Sequence, residues 1–285
     1  MSRELLSSSK MPSRRPLRAR TMLGKYRIRR KVGSGGFATV YEAYDTVEGI
    51  PVALKVPHAD QLDGDALSLI HKEVRLTARL DHDNILPLRN AMMVDGYFVI
   101  ATPLGEKTLT DRLRHRLGPK TALSYTSQLL DALAYAHGER IIHCDIKPDN
   151  VILFPGGQIR LADFGIARVA LRTRTIMGSG QGTVGYIAPE QALGKLSFRS
   201  DVFSMGLLIY RMFAGALPEW PFDWPPPGHD RLRRTGSRDF IGFLRRAMEL
   251  RERKRFRDGV QMQDAFLKLE PKALRSTARR RRGAS

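Results

Sequence analysis

The chain has 285 residues, with 48 Lys or Arg against 29 Asp or Glu, so its formal net charge is +19. This length is enough to bury a hydrophobic core in one large domain or in two smaller lobes. Cys144 is the only cysteine, which excludes an intramolecular disulfide and suits a reducing compartment. The first residues also lack the apolar centre of a secretory signal. We therefore expect a soluble, cytoplasmic protein.

Basic residues are concentrated at both ends of the chain. Residues 1–25 contain seven Lys or Arg and one Glu, and residues 271–285 contain six Lys or Arg and no acidic residue. Both ends are poor in large apolar residues, so we predict disordered basic tails over residues 1–25 and 270–285. The Arg-rich end could bind nucleic acid, anionic lipid or an acidic partner. A solvated tail that aids solubility is the interpretation we favour.

Strands dominate the first part of the chain. Residues Tyr26–Leu54 are rich in β-branched and aromatic types around a glycine-rich turn, so they predict consecutive strands. Apolar residues at helical spacing predict a helix over Ala66–Leu80. The sequence AMMV-DG-YFVIA predicts a hairpin that turns at Asp95 and Gly96, because Asp-Gly suits the tight turn between antiparallel strands.

Helices dominate the remainder. Apolar residues three and four apart predict helices over Leu109–Leu117 and Ala122–Ala136. The apolar run Val202–Leu217 contains an arginine and is shorter than the roughly 20 residues that span a bilayer, so it predicts a buried helix. Short strands are predicted at Ile141–Ile142, Val151–Phe154 and Ile159–Ala162, and a further helical stripe consists of Phe240, Phe243, Leu244, Ala247 and Met248.

The order of these elements predicts an α+β protein. A strand-rich N-terminal lobe with one helix would precede a larger, mainly helical lobe, with a hinge at Thr102–Leu104. A cleft between two lobes is a common place for a small-molecule site.

A cluster of glycines at positions 33, 35 and 36 lies between two predicted strands. Glycine lets backbone N–H groups approach an anion closely and adopt conformations closed to other residues. The cluster alone is a weak signal, since most such clusters are turns. Lys55 strengthens it, because a lysine among apolar strand residues must reach solvent or bind an anion. Glu73 lies on or beside the apolar face of the next helix, so a Lys55–Glu73 pair that positions a phosphate would explain both residues.

The sequence HCDIKPDN at residues 143–150 combines two aspartates, a lysine and an asparagine. Asp145 can accept a proton from an attacking hydroxyl, and Lys147 can neutralise charge on a phosphoryl group. Asp145, Asn150 and Asp163 are all oxygen donors of the kind that suit Mg²⁺, so a metal ligand is the alternative to the base role of Asp145. Each residue alone has an ordinary alternative as a turn residue or a surface lysine. Their joint occurrence indicates phosphoryl transfer.

Together these motifs resemble those of the eukaryotic-like serine/threonine protein kinases, over about Tyr26–Leu269. The resemblance implies a bilobal kinase fold with an N-lobe at residues 26–101, a hinge at 102–104 and a C-lobe at 105–269. It implies ATP and Mg²⁺ as cofactors and protein Ser/Thr hydroxyls as acceptors, the protein's own included. The implied catalytic residues are Asp145, Lys147, Lys55 and Glu73, the metal ligands are Asn150 and Asp163, and the nucleotide-binding residues are Val32, Gly33, Ser34, Gly35, Gly36, Phe37, Ala38, Thr39, Val40, Ala53, Lys55, Thr102 and Leu104.

Further residues agree with this resemblance. Residues 182–191 resemble the end of an activation segment. Their amino-acid sequence is similar to that of bacterial family members. By the same resemblance, residues 143–150 form the catalytic loop, and Asp201 is expected to brace it. Glu190 and Arg255 are expected to form a buried ion pair that ties this segment to the helical lobe.

Two positions depart from the family pattern. Ala38 replaces the third glycine of the loop, and from its extra methyl we expect less loop flexibility rather than loss of binding. Cys144 stands where the family usually has an arginine that pairs with a phosphate on the activation segment. We therefore predict activity that does not depend on phosphorylating Thr173, Thr175 or Ser179. A redox role for Cys144 is one alternative, and a small buried filler is the one we favour.

Two other functions compete with an active kinase. A pseudokinase would bind ATP or act as a scaffold without turnover, but such proteins generally lose one of the motif residues that are all present here. A nucleic-acid-binding protein would make the basic tails the functional part. The core lacks the aromatic and basic strand pattern of RNA-binding sheets, which disfavours this function.

Overall fold

The computed structural model describes residues 17–59, 64–164, 184–219 and 221–274. These residues divide into two compact units. The first unit contains the described residues up to Val74 together with Leu88–Leu104. The second contains Arg75–Pro87 and the described residues from Gly105 onward. None of the described helices is both long and apolar enough to cross a membrane.

The first unit is built on a six-stranded antiparallel sheet with the strand order β1-β2-β3-β4-β6-β5. The strands are β1 Met22–Leu23, β2 Tyr26–Ser34, β3 Ala38–Asp45, β4 Ile50–Pro57, β5 Asn90–Val94 and β6 Tyr97–Pro103, and helix α1 is Gly64–Thr77. The predicted hairpin is confirmed, since β5 pairs with β6 and the chain turns at Asp95 (φ 48°) and Gly96 (φ 77°). The predicted helix is present but ends at Thr77 rather than Leu80.

Strand β4 fixes the direction of Lys55. β4 lies between β3 and β6, and its residues Val52, Leu54 and Val56 are buried in the core of the first unit. Because successive strand residues point to opposite faces, Lys55 projects from the other face of the sheet. It lies opposite Val40 on β3 and Ile100 on β6.

The second unit is mainly helical. Its helices are α2 Leu109–Arg112, α3 Pro119–Gly138, α4 Pro189–Ala192, α5 Phe198–Ala214, α6 His229–Thr235, α7 Arg238–Ala247 and α8 Gly259–Leu269. A three-stranded sheet consists of β7 Lys107–Thr108, β8 Val151–Leu153 and β9 Ile159–Leu161. The predicted stripe is confirmed, because its four residues on α7 and Met248, which caps the helix, are all buried.

Helix α5 lies in the core of the second unit. Every residue from Ser200 to Tyr210 is buried, which explains why the sequence from Val202 onward is mostly apolar. A capping box formed by Ser197 and Ser200 begins the helix, and Gly215 ends it with a left-handed φ of 77°. The apolar run is thus confirmed as a buried helix.

Two predicted elements differ in the structure. The helix predicted over Leu109–Leu117 ends at Arg112, whose guanidinium donates to the carbonyls of His115 and Arg116 and so satisfies them outside a helix. The strand predicted at Ile141–Ile142 is absent. Instead, Arg140 takes a left-handed φ of 60° and the Ile141 N–H donates to the Ala136 carbonyl (2.8 Å), so this backbone closes the end of α3.

Parts of both predicted tails are folded. Met22 and Leu23 pair with β2, and Leu23 is only 1% exposed. At the other end, Ala273 is fully buried and Leu274 forms a bridge with Gly236. In both segments an apolar side chain is buried in a core. The disorder predicted from the basic composition of these segments is therefore wrong for Leu23 and Ala273. Residues 1–16 and 275–285 lie outside the described part of the chain.

Candidate active site

The glycine-rich loop joins β2 to β3 and is closed by a hydrogen bond from the Gly35 N–H to the Ala38 carbonyl (2.9 Å). None of Gly33, Gly35 and Gly36 has a positive φ, so the expectation that they adopt conformations closed to other residues is not met. A Cβ added at Gly33 or Gly36 would meet nothing within 4 Å. The fold itself therefore does not require glycine at Gly33 or Gly36, and the predicted close approach of a phosphate stays a prediction.

Polar side chains anchor this loop. Thr39 Oγ1 lies 3.0 Å from Ser34 Oγ and 3.0 Å from His58 Nε2. The backbone N–H of His58 donates to the Phe37 carbonyl (2.9 Å). His58 follows β4 directly, and no motif in the sequence had identified it. Its backbone and its ring together hold the β3 side of the loop.

The predicted nucleotide residues of the first unit share one face of the sheet. Val40 lies opposite Lys55, and Ala53 lies opposite Thr102 on β6. Because paired antiparallel residues point to the same side, Val40, Ala53 and Lys55 project together. Their role at the adenine and phosphates stays a prediction. The same is true of the pair between Lys55 and Glu73, since the Glu73 side chain lies outside the described part.

The catalytic-loop histidine is fully buried and fixed in one tautomer. His143 Nε2 donates to the Ala162 carbonyl (2.9 Å), and His143 Nδ1 accepts the Asp145 N–H (3.2 Å). Burial lowers the pKa of His143 below its ordinary value, although the nearby carboxylates of Asp201, Asp145 and Asp163 act in the opposite direction. The ring is therefore neutral and works as a support, with one donor and one acceptor.

Asp145 is oriented by the two other polar residues predicted beside it. Its Oδ2 accepts from Lys147 Nζ (2.7 Å) and from Asn150 Nδ2 (3.0 Å). Since both partners bind Oδ2, Oδ1 is the oxygen on which the predicted role of Asp145 as a base would depend. The Asn150 amide nitrogen also donates to the Asp145 carbonyl (2.8 Å), so the asparagine's oxygen is the atom suited to a cation.

The β8–β9 hairpin places Asn150 and Asp163 at the same end. Val151 pairs with Leu161, and the Ala162 N–H donates to the Asn150 carbonyl (2.8 Å), which leaves Asp163 one residue further along. Asp163 has a left-handed φ of 65°. One amide oxygen and one carboxylate fit Mg²⁺, which commonly takes one or two protein ligands and completes its shell with water and phosphate. Within the described residues, no cluster of three or more His, Cys, Asp or Glu could hold a metal.

Asp201 braces the backbone of the catalytic loop, as predicted. Its carboxylate, 1% exposed, accepts the N–H groups of His143 (2.6 Å) and Cys144 (2.8 Å). A histidine that the sequence had not singled out holds Asp201 in turn. His137 Nε2 donates to Asp201 Oδ2 (3.0 Å), while His137 Nδ1 accepts the Gly259 N–H (2.7 Å).

Cys144 is 3% exposed, with a left-handed φ of 69° and a thiol 3.6 Å from the Ile142 carbonyl. It is therefore a small buried side chain, as favoured from the sequence.

The ion pair predicted between Glu190 and Arg255 is present and bidentate. Arg255 Nη1 and Nη2 lie 2.6 and 2.9 Å from the two Glu190 oxygens, and Ser200 Oγ also donates to Oε1 (2.8 Å). Burial by itself would raise the pKa of Glu190, but the hydrogen bonds and charge of Arg255 outweigh it and hold that pKa below its usual range. Thr173, Thr175, Ser179 and Thr183 lie outside the described residues.

Comparison with known proteins agrees with this geometry. The family model for the protein kinase domain matches residues 26–261, so the chain belongs to the protein kinase family. It is 34% identical over 202 residues to serine/threonine-protein kinase PrkC of Bacillus subtilis, covering 68% of this chain and 31% of that protein. It is 37% identical over 210 residues to PknA of Mycobacterium tuberculosis, covering 70% of this chain and 48% of that protein.

A solved structure has the same fold. The crystal structure of the Mycobacterium tuberculosis PknI kinase domain matches with a TM-score of 0.68 and 26% identity, over 89% of this chain and 99% of that one. The chain spans between about a third and a half of the curated relatives named above. The likeness therefore concerns their kinase domain.

Proposed function

We propose that this protein is an active serine/threonine protein kinase that transfers the γ-phosphate of Mg·ATP to Ser/Thr hydroxyls of proteins, itself included. The observation that carries the proposal is the arrangement around Asp145. Lys147 and Asn150 hold one carboxylate oxygen at 2.7 and 3.0 Å, which fixes the direction of the other. A proton acceptor held in this way suits an attacking hydroxyl.

The remaining roles follow from the chemistry of each group. Asp145 Oδ1 accepts the hydroxyl proton, and the Lys147 ammonium offsets charge on the phosphoryl group. Asn150 and Asp163 would hold Mg²⁺, which when bound neutralises charge on the phosphate oxygens. The backbone of the glycine-rich loop and Lys55 bind the phosphates, and Glu73 orients Lys55. Cytoplasmic location is part of the same proposal.

Activity without activation-segment phosphorylation is the finer part of the proposal. The family arginine that would bind such a phosphate is replaced by Cys144, which is uncharged and 3% exposed. The hydrogen bonds that fix this position come from Asp201 and from neighbouring helices, all within the second unit. The catalytic loop therefore has its backbone held by protein groups, and Cys144 supplies no cation that an activation-segment phosphate could bind.

Transfer of labelled γ-phosphate to the protein and to a basic test protein examines the main proposal. The wild type should label both, and Asp145→Asn should lower the rate by about 10²–10⁴-fold, the usual contribution of a general base. The variant should still bind Mg·ATP, because Asp145 is not a proposed metal ligand.

Two results would count against an active kinase. Equal phosphate incorporation by the wild type and by Asp145→Asn would mean that Asp145 is not the base. No incorporation by a wild type that binds Mg·ATP would favour the pseudokinase.

A further inference from the structure

We propose that Gln191 is a positioning residue for Asp145, a proposal that rests on the kinase function above. Gln191 lies on α4, is 4% exposed, and its Nε2 donates to the carbonyl of Cys144 at 2.6 Å. Gln191 is the last residue of the 182–191 segment, but neither the motifs nor the family resemblance had assigned this side chain a role. Its bond reaches 47 residues back along the chain, to the position directly before the proposed base.

The carbonyl that Gln191 holds belongs to the peptide group between Cys144 and Asp145. The N–H of the same peptide donates to His143 Nδ1 (3.2 Å). Both polar atoms of this one peptide are thus held by side chains, one on the catalytic loop and one on α4. Because a peptide group is planar, fixing its carbonyl and its N–H fixes the backbone from which the Asp145 side chain projects.

This peptide needs such restraint because of the conformation before it. Cys144 has a φ of 69°, a left-handed value that non-glycine residues rarely adopt without support from their surroundings. Asp201 holds the Cys144 N–H on one side of this residue, and Gln191 holds its carbonyl on the other. Without the Gln191 amide, the Cys144 carbonyl would be buried without a donor. Rotation of the peptide between residues 144 and 145 would then relieve both the unpaired carbonyl and the left-handed φ of Cys144.

Rotation of that peptide would redirect the Asp145 carboxylate without removing any group that contacts the nucleotide. A displacement of about 1 Å at a reacting group can lower a rate by about 10²-fold. The expected signature is therefore a lower kcat with unchanged nucleotide binding. A role confined to stability would lower the melting temperature and leave kcat of the folded protein intact.

The test compares Gln191→Met, similar in length but without a donor, with Ser204→Ala as a matched control. Ser204, also 4% exposed, donates from α5 to the Tyr186 carbonyl (2.7 Å), a bond of the same type that does not touch the catalytic loop. We expect Gln191→Met to lower kcat by about 10–100-fold with KM for ATP and Kd for Mg·ATP within twofold of wild type. Ser204→Ala should keep kcat within about twofold even where the melting temperature falls equally.

A second variant covers the case in which Gln191→Met does not fold. Gln191→Leu also lacks a donor and carries no group that could ionise or become protonated, so it should show the same loss of kcat. The proposal is overturned if a folded variant lacking the donor keeps wild-type kcat, or if Ser204→Ala loses as much kcat as Gln191→Met. A wild type without phosphate transfer would instead reject the kinase function itself.

Discussion

The catalytic loop and the glycine-rich loop are held in different ways. Between His143 and Asp145, the backbone is fixed by buried side chains that come from α4, α5 and the loop itself. At the glycine-rich loop, Ser34, Gly35 and Gly36 are exposed, and Ser34, Thr39 and His58 form a chain of side-chain hydrogen bonds. The difference matches the two proposed roles. A base must keep one direction, whereas a loop that covers phosphates must leave room for the ligand to approach.

The largest effect is expected on the catalytic-loop side, from Arg255→Met. Arg255 is the fully buried partner of Glu190, and α4, which carries Glu190, also carries Gln191. Removing one partner of a buried pair leaves the other charge uncompensated and costs about 3–5 kcal/mol of unfolding free energy. Urea unfolding measures this loss. Arg30→Met is the control, because Arg30 is 68% exposed in its 2.8 Å pair with Glu42 and should lose less than about 1 kcal/mol.

The same pair predicts the direction of a pH effect. Because the Glu190 pKa is lowered in the folded protein, its contribution is present above its ordinary value of 4.5 and is lost as pH falls through the folded pKa. The stability difference between wild type and Glu190→Gln should therefore shrink on acidification below about pH 4.5. A difference that stayed constant down to pH 3 would mean that the carboxylate charge does not contribute.

A smaller effect is expected on the glycine-loop side, from Gly36→Val. Nothing lies within 4 Å of a Cβ at Gly36, and its φ is not left-handed, so the free energy of unfolding should change by less than about 0.5 kcal/mol. KM for ATP should rise about tenfold or more, since one charge-assisted hydrogen bond to phosphate is worth about 1.5–3 kcal/mol.

Gly228→Ala is the control, because it should lower the free energy of unfolding and leave KM for ATP unchanged. Gly228 has a φ of 79°, and a Cβ there would lie 2.8 Å from the Ala214 carbonyl oxygen. This variant should lose about 1–3 kcal/mol of stability with KM for ATP unchanged. If Gly36→Val were the destabilised protein instead, the fold rather than the ligand would require glycine in the loop.

The sequence predicted the chemistry of the site better than its support. Asp145, Lys147 and Asn150 were identified because their side-chain types suit the reaction, and the structure brings them together. His58, His137 and Gln191 were missed, since each acts through a hydrogen bond to a residue distant in sequence, and such pairing leaves no periodic pattern.

The errors in secondary structure have a related cause. Ile141–Ile142 has the β-branched composition of a strand, but its first N–H is used to close α3. Local composition could not show where that backbone hydrogen bond goes. The same limit applies to Leu23 and Ala273, whose burial depends on partners elsewhere in the chain.

The smallest effect is expected when Thr173, Thr175 and Ser179 are changed to alanine together. The catalytic loop is held by Asp201 and Gln191 through neutral backbone groups, and Cys144 offers no positive charge to a phosphate. The triple variant should therefore keep kcat within about twofold of wild type in the labelled-phosphate assay, a change of less than about 0.4 kcal/mol. Phosphatase treatment of the wild type should have as little effect. If the triple variant lost turnover while keeping its melting temperature, a phosphate would be orienting the loop, and the buried hydrogen bonds would not be sufficient to hold Asp145.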